Sequence, residues 1–281
     1  MTYLQMIQEA EKKASLAQME VNAIKWLFFY SDFAVPYHHL SLPVPLKVYE
    51  SFMEMVDLYL LKKMPPQYIL HKTCFYGYDF YVDENVFIPR METEQLVEET
   101  ILRIDQYFEN QSLTIADVCC GSGVIGLTMK KEVEHAKVYL CDINPKAIEI
   151  VNKNAKNLKV HVTTLCGDFI QPLLEKKLTF DVLVCNPPYI KNQEILDEMV
   201  MNYEPHNALF GGEDGLDFYR IIFKHASILL NKKAMMAFEF GYDQKEALET
   251  LIQKELPEFR YEFLKDYAGL DRMVFLFKNL L

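Results

Sequence analysis

Basic residues are scarce. The 281-residue chain carries 29 Lys and Arg against 40 Asp and Glu, a net charge of −11. A protein that grips nucleic acid through its phosphates shows the opposite balance, so general DNA or RNA binding is disfavoured, a local basic patch aside. Long apolar runs are missing too. Stretches such as Trp26-Leu27-Phe28-Phe29-Tyr30 fall far short of the roughly 20 residues of a bilayer span, so no membrane association is expected. The N-terminus reaches Glu9 and Glu11 with no readable signal peptide. The six cysteines therefore read as free thiols in a reducing cytoplasm, the expected location. They lack the paired C-x2-C spacing of structural zinc sites, and no metal is expected; Cys120, Cys141, Cys166 and Cys185, near the carboxyl ends of expected strands, read as small buried thiols. Internal repeats and low-complexity segments are absent. What is present is globular composition, 51% hydrophobic and 25% charged, which excludes a disordered or fibrous chain. At roughly 150 residues per domain, the length fits two domains or one large α/β unit.

Glycine is absent before Gly77, and up to about residue 74 apolar residues recur at helical spacing, as in Tyr3, Met6 and Ile7 or Phe52, Met53, Val56 and Leu60. Pro36, Pro43 and Pro45 punctuate short connections. The pattern predicts a helical domain over residues 1–74. The run Phe75–Val82 predicts an extended segment, one arm of a hairpin within a linker spanning 75–91. Strands then alternate with helices. Expected strands are Thr114–Cys120, Lys137–Asp142, Val160–Cys166, Phe180–Cys185, Ala234–Phe240, Tyr261–Asp266 and Arg272–Phe277. Helical stripes run through Leu96, Val97, Thr100, Ile101, Ile104 and Phe108, and through Ala147, Ile148, Val151, Ala155 and Leu158, the second led by Asn144 as N-cap and Pro145 at the first position. Asp243 with Glu246 resembles a capping box. The order predicts an α/β fold over 75–281, a doubly wound, mostly parallel seven-stranded sheet with ligands beyond the carboxyl ends of its strands.

Four strand ends carry chemistry. Asp117-Val118-Cys119-Cys120-Gly121-Ser122-Gly123 turns a buried strand into a helix, where glycine lets a ligand approach the backbone and free N–H groups await an anion. No Gly-Lys-Ser/Thr P-loop is present, and a G-x-G turn is weak evidence alone. Asp142 follows about 20 positions on, where a carboxylate accepts both ribose hydroxyls of a nucleoside ligand; the plainer alternative is a cap on the turn before Asn144. Asp168-Phe169 after the third strand is a common turn pair that also suits an adenine. The fourth strand ends in Asn186-Pro187-Pro188-Tyr189. Its prolines lack N–H groups, so the Asn186 oxygen and the Pro187 carbonyl stay free to accept from an external –NH2. Elsewhere this would read as a rigid turn. After a glycine loop and an acidic ribose position, amide or amine recognition is the stronger reading.

The chain resembles the HemK/PrmC family of S-adenosyl-L-methionine-dependent methyltransferases, which methylate a glutamine side chain in peptide chain release factors. Besides Asn186–Tyr189, the resemblance rests on Pro66–Leu70 with Phe75–Gly77, Phe87-Ile88-Pro89-Arg90-Met91-Glu92-Thr93-Glu94, Asn207–Asp217, and Gly269-Leu270-Asp271-Arg272. Asn-Pro-Pro-Tyr by itself also occurs in amino-methyltransferases of DNA and RNA. Cys119 stands where the family usually has a glycine, and Phe169 where an aromatic residue, often Trp, is expected. The resemblance implies a Rossmann-like class I methyltransferase fold with a helical substrate-recognition domain. It places Cys119, Cys120, Gly121, Ser122 and Gly123 at the methionine part of the cofactor, Asp142 at its ribose, and Asp168 and Phe169 at its adenine. Asn186, shared with the cofactor, and Pro187 hold the glutamine amide, with Phe87, Pro188 and Tyr189 around it. Asn186, Pro187 and Tyr189 are the expected catalytic group, no histidine among them. The implied reaction is N5-methylation of the glutamine of a Gly-Gly-Gln motif in translation termination. The competing readings are an amino-methyltransferase of a DNA or RNA base, a ribosomal-protein glutamine methyltransferase, and a module that binds cofactor without turnover.

Overall fold

The chain opens on α1 (Tyr3–Leu16), α2 (Asn22–Phe29), α3 (Leu46–Lys62) and α4 (Pro66–Leu70) in the computed structural model, which describes residues 1–108 and 111–280. Thr2 caps α1: its side chain accepts from Gln5 N at 3.2 Å, and its own backbone N–H donates to Gln5 Oε1 at 2.9 Å, a capping box worth about 1 kcal/mol. Met6, Ala10 and Ala14 of α1 are buried in one cluster with Leu27 and Phe28 of α2 and Phe52 and Val56 of α3. Phe28 meets Phe52 edge-on at 5.7 Å, a favoured aromatic geometry. Residues Met1–Lys72 form one compact unit, joined by Val82–Glu84 and Asp197–Tyr203; all remaining described residues form the other.

The second unit begins with a hairpin, β1 (Thr73–Phe75) and β2 (Tyr78–Phe80), paired antiparallel. The aromatic run is therefore not one arm but the end of the first strand, the turn and the second strand. Tyr76 and Gly77 both take positive φ, 51° and 78°, the two-residue turn whose twist suits a hairpin.

After α5 (Met91–Phe108) come β3 (Thr114–Val118), α6 (Val124–Glu132), β4 (Lys137–Asp142), α7 (Pro145–Leu158), β5 (Thr163–Cys166), α8 (Gln171–Glu175) and β6 (Phe180–Cys185). The chain ends with α9 (Glu198–Tyr203, in the helical unit), α10 (Asp217–Leu229), β7 (Leu230–Glu239), α11 (Lys245–Glu255), β8 (Arg260–Lys265) and β9 (Asp271–Lys278). The sheet order is β5-β4-β3-β6-β7-β9-β8, parallel except for β9, which runs against both neighbours. One face packs on α5, α6 and α7 through Leu96, Leu127 and Val151, the other on α8, α10 and α11 through Leu173, Phe223 and Ile252. With both faces covered, Val182, Leu183, Val184 and Cys185 of β6 are fully buried, which explains the continuous apolar run.

Three local expectations change. Val160 does not start β5: its N–H closes the end of α7 on Ala155 O at 3.0 Å, with Lys159 left-handed at φ 58°. Asp243 does not cap α11. The position before α11 is Gln244, whose Oε1 takes the Gly241 N–H at 2.8 Å, while Asp243 pairs with Lys191. Cys166 is not a buried thiol, because β5 is the sheet edge, whereas Cys120, Cys141 and Cys185 are buried as expected. Asn144 does cap α7, accepting from Lys146 N at 3.0 Å. Among the described residues no helix is long and apolar enough to cross a membrane.

Candidate active site

Strand β3 hydrogen-bonds β4 on one side and β6 on the other, so the chain leaves it in both directions and a crevice opens beyond the carboxyl ends. Into that crevice runs the loop after β3. Cys119, Gly121 and Gly123 all take positive φ, 59°, 52° and 80°. A Cβ on Gly121 would meet nothing within 4 Å, so the backbone there lies bare towards the cavity. Cys119 adopts the left-handed conformation that glycine takes most readily, at a cost on the order of 1 kcal/mol. A β-branched side chain tolerates that conformation far less well. Cys119→Val is therefore expected to lower stability by about 1–3 kcal/mol, while Cys119→Gly stays near wild type. Thermal unfolding of both variants checks this; equal melting temperatures would show that the loop carries no backbone strain.

Two carboxylates, one half-buried and one fully buried, hold the loop and the start of the helix that follows it. Asp142 accepts from Gly121 N at 2.8 Å through Oδ2 and from Asn144 N at 2.9 Å through Oδ1. Burial raises its pKa, and the N–H donors oppose the rise. The residue thus caps the turn before Asn144 and also faces the cavity. Behind it, Asp117 is fully buried, accepts from Gly126 N at 2.7 Å through Oδ2, and has no partner for Oδ1 among the described residues. Desolvation pushes its pKa up to about 8.

Asp168 is exposed at the cavity, and the buried Phe169 ring stands edge-on to Phe218 at 4.9 Å. Beyond β6, the Asn186 amide bonds Thr93 Oγ1 at 3.1 Å, and Thr93 Oγ1 donates to Glu239 Oε2 at 2.6 Å. Tyr189 Oη donates to Glu239 Oε1 at 3.2 Å, and burial holds the phenol well above its usual pKa. The stretch 207–217 closes over this exit: Ile190 N bonds Leu209 O at 3.0 Å, and Gly211 N bonds Ile190 O at 2.8 Å. Only glycine permits the approach, since a Cβ on Gly215 would lie 2.1 Å from Tyr189 O. Phe87 is held by Arg90, whose guanidinium lies 4.5 Å from the ring centroid and whose Nη2 donates to the buried Glu204 at 2.6 Å.

One cavity of about 1240 Å³, partly open to solvent, is lined by every residue singled out above as cofactor- or substrate-contacting except Gly123. Gly123 lies behind the lining, where a Cβ would press on Leu127 and Val151 at 3.1 Å. Thr93, Glu204 and Glu239 carry parts of the site that no motif reading assigned. An acidic residue inside the apolar run of β7 was the available signal for Glu239, because an unpartnered buried carboxylate is too costly to keep. Among the described residues no group of three His, Cys, Asp or Glu side chains is arranged to hold a metal.

Residues 97–206 match the family model described as the methyltransferase small domain. A release factor glutamine methyltransferase of Bacillus anthracis is 41% identical over 227 residues, 80% of each chain. One of Clostridium acetobutylicum is 39% identical over 234 residues, 82% of this chain and 79% of its own. The chain belongs to the release factor glutamine methyltransferase family. Its sheet is that of class I methyltransferases, and the fold is shared with a Pyrococcus furiosus methyltransferase at TM-score 0.53 and 16% identity, covering 72% of this chain and 90% of that one. It is shared as well with a T. thermophilus 16S rRNA N2 G1207 methyltransferase at TM-score 0.52 and 15% identity, covering 74% and 50%. Members of the family are enzymes, and the expected methyltransferase activity stands.

Proposed function

We propose that this enzyme uses S-adenosyl-L-methionine to methylate the side-chain amide nitrogen of the glutamine in the Gly-Gly-Gln motif of a peptide chain release factor. The observation that carries this reading is the meeting of Gly121, Asp142, Phe169 and Asn186–Tyr189 at one cavity in a chain of this family. The residues fit the cofactor. The bare Gly121 backbone admits a ligand chain, Asp142 offers a partly buried acceptor for ribose hydroxyls, and Phe169 and Phe218 present apolar surface to an adenine beside Asp168. Bound there, the cofactor supplies an electrophilic methyl group on a sulfonium.

An amide nitrogen is a weak nucleophile because its lone pair is delocalised into the carbonyl. Asn186 Oδ1 and the Pro187 carbonyl accept its two hydrogens, orient it, and favour the positive charge that grows on it. Phe87 and Tyr189 wall the site against water. No strong base is required, since an N-protonated amide gives up its proton to water readily.

The test is transfer of labelled methyl groups to purified release factor with DNA and ribosomal subunits present as competitors. Label on the release-factor glutamine supports the reading; label on nucleic acid or a ribosomal protein overturns it. The helical unit is proposed to recognise the protein substrate, because all residues lining the cavity belong to the other unit. Removing residues 1–72 is expected to leave cofactor affinity within about threefold while lowering turnover on intact release factor about tenfold or more, the scale of a lost substrate contact. Normal turnover by a soluble truncated protein would refute that role.

A further inference from the structure

The amide of Asn186 ends in an oxygen and a nitrogen of nearly equal size, and only its partners decide which faces the cavity. Its partner is Thr93 Oγ1 at 3.1 Å, on a buried residue in the first turn of α5. That hydroxyl lies 2.6 Å from Glu239 Oε2. A hydroxyl has one hydrogen, and a carboxylate only accepts. The hydrogen therefore points at Glu239, and the Thr93 oxygen is left as an acceptor towards Asn186. The Asn186 nitrogen must face Thr93, which leaves Oδ1 for the cavity.

We propose that Glu239, Thr93 and Asn186 form a positioning relay in which the fixed polarity of one hydroxyl holds Asn186 with its oxygen, not its –NH2, towards the amide nitrogen of the substrate. The proposal rests on the reading of Asn186 as an acceptor for that amide. In a flipped Asn186 the oxygen would oppose the Thr93 oxygen and the –NH2 would oppose the substrate's hydrogens, two repulsive contacts at once. The remaining surroundings keep Glu239 an acceptor. Tyr189 Oη donates to Oε1 at 3.2 Å, and Tyr219 Oη bonds the Glu239 backbone carbonyl at 2.6 Å, so it does not compete for the carboxylate. Arg272, anchored on Asp266 at 3.2 Å and on Phe240 O at 3.3 Å, sets a positive charge near Glu239. Burial raises the carboxyl's pKa and Glu92 adds to the rise, while Thr93, Arg272 and Tyr189 oppose it. Glu239 and Thr93 touch neither cofactor nor reacting atoms in this scheme; they act through Asn186.

The experiment compares Thr93→Val, Thr93→Ser, Glu239→Gln and Asn186→Ala in the full-length protein. Each variant is measured for melting temperature, cofactor affinity and single-turnover methyl transfer to release factor. Thr93→Val keeps the shape and loses the hydroxyl, so transfer is expected to fall about 10- to 100-fold, the range for a misplaced catalytic group, with cofactor affinity unchanged. Thr93→Ser restores the hydroxyl and is expected within about threefold of wild type. Glu239→Gln can turn either end of its amide to Thr93, so its rate is expected between those of Thr93→Ser and Thr93→Val. Near-wild-type transfer by Thr93→Val overturns the relay, as does a loss that Ser does not rescue or that merely follows cofactor affinity. If Thr93→Val fails to fold, Glu239→Gln decides: a slowed rate at unchanged cofactor affinity supports the relay, and an undiminished rate overturns it. Asn186→Ala separates the two levels. If it transfers normally, the reading of Asn186 itself is wrong; if it is crippled while Thr93→Val is not, the relay alone is wrong.

Discussion

Asn186→Ala is expected to lose roughly 100- to 1000-fold in methyl transfer while binding cofactor almost as well as the parent protein, the usual cost of removing one preorganised hydrogen-bonding group at a reacting centre. The side chain lines the cavity at the exit of β6 and bonds Thr93, so truncation removes an acceptor from the substrate side and leaves the loop at Gly121 and Asp142 untouched. Asn186→Asp keeps the shape but opposes an acceptor to the Thr93 oxygen and adds a negative charge beside the sulfonium. It is expected to be impaired in transfer, less than the alanine variant. A purely structural Asn186 predicts another outcome, with melting temperature and cofactor affinity falling together. Single-turnover rate, cofactor affinity and melting temperature on one preparation distinguish these; a stable variant that binds cofactor and transfers at the parent rate refutes the catalytic role.

Asp142→Ala is expected to weaken cofactor binding by about 1.5–3 kcal/mol, the cost of hydrogen bonds to a charged acceptor, or roughly 10- to 150-fold in affinity. A second effect follows from the bonds to Gly121 N and Asn144 N. Their loss frees the glycine loop from the end of β4 and is expected to lower stability by about 1 kcal/mol. Burial raises the Asp142 pKa, so as pH falls the carboxylate is neutralised earlier than an ordinary aspartate, and cofactor affinity should decline in step. Asp142→Asn should lack that decline. Calorimetric titration across pH, together with thermal unfolding, checks both effects. A destabilised variant with unchanged affinity would leave Asp142 as a turn cap alone.

How far the fold and site were legible in the sequence follows from what local sequence encodes. Periodicity records which side of an element is buried, so β4 and β6 lie at the residues expected, and α7 carries its expected cap and proline. Errors arose where a partner distant in the chain outcompeted a local signal. Lys191 drew Asp243 away from α11, and the edge position of β5 left Cys166 in solvent. The tight turn at Tyr76-Gly77 put two arms into a run read as one.

The same division holds for the site. Residue type and spacing alone determined that a glycine loop, an acidic strand end and a proline-stiffened exit occur at successive strand ends, because strand–turn–helix chemistry is local. Only the tertiary structure decided that Cys119 takes a glycine's conformation, that Glu204 steadies Arg90 against Phe87, and that Thr93 stands between Asn186 and Glu239. Thr93 and Glu239 are 146 positions apart, and Arg90 and Glu204 are 114 apart. A hydrogen bond needs its two atoms within about 3 Å, and neither propensity nor periodicity carries distance information across such separations; packing of α5 and β7 in one folded core supplies it.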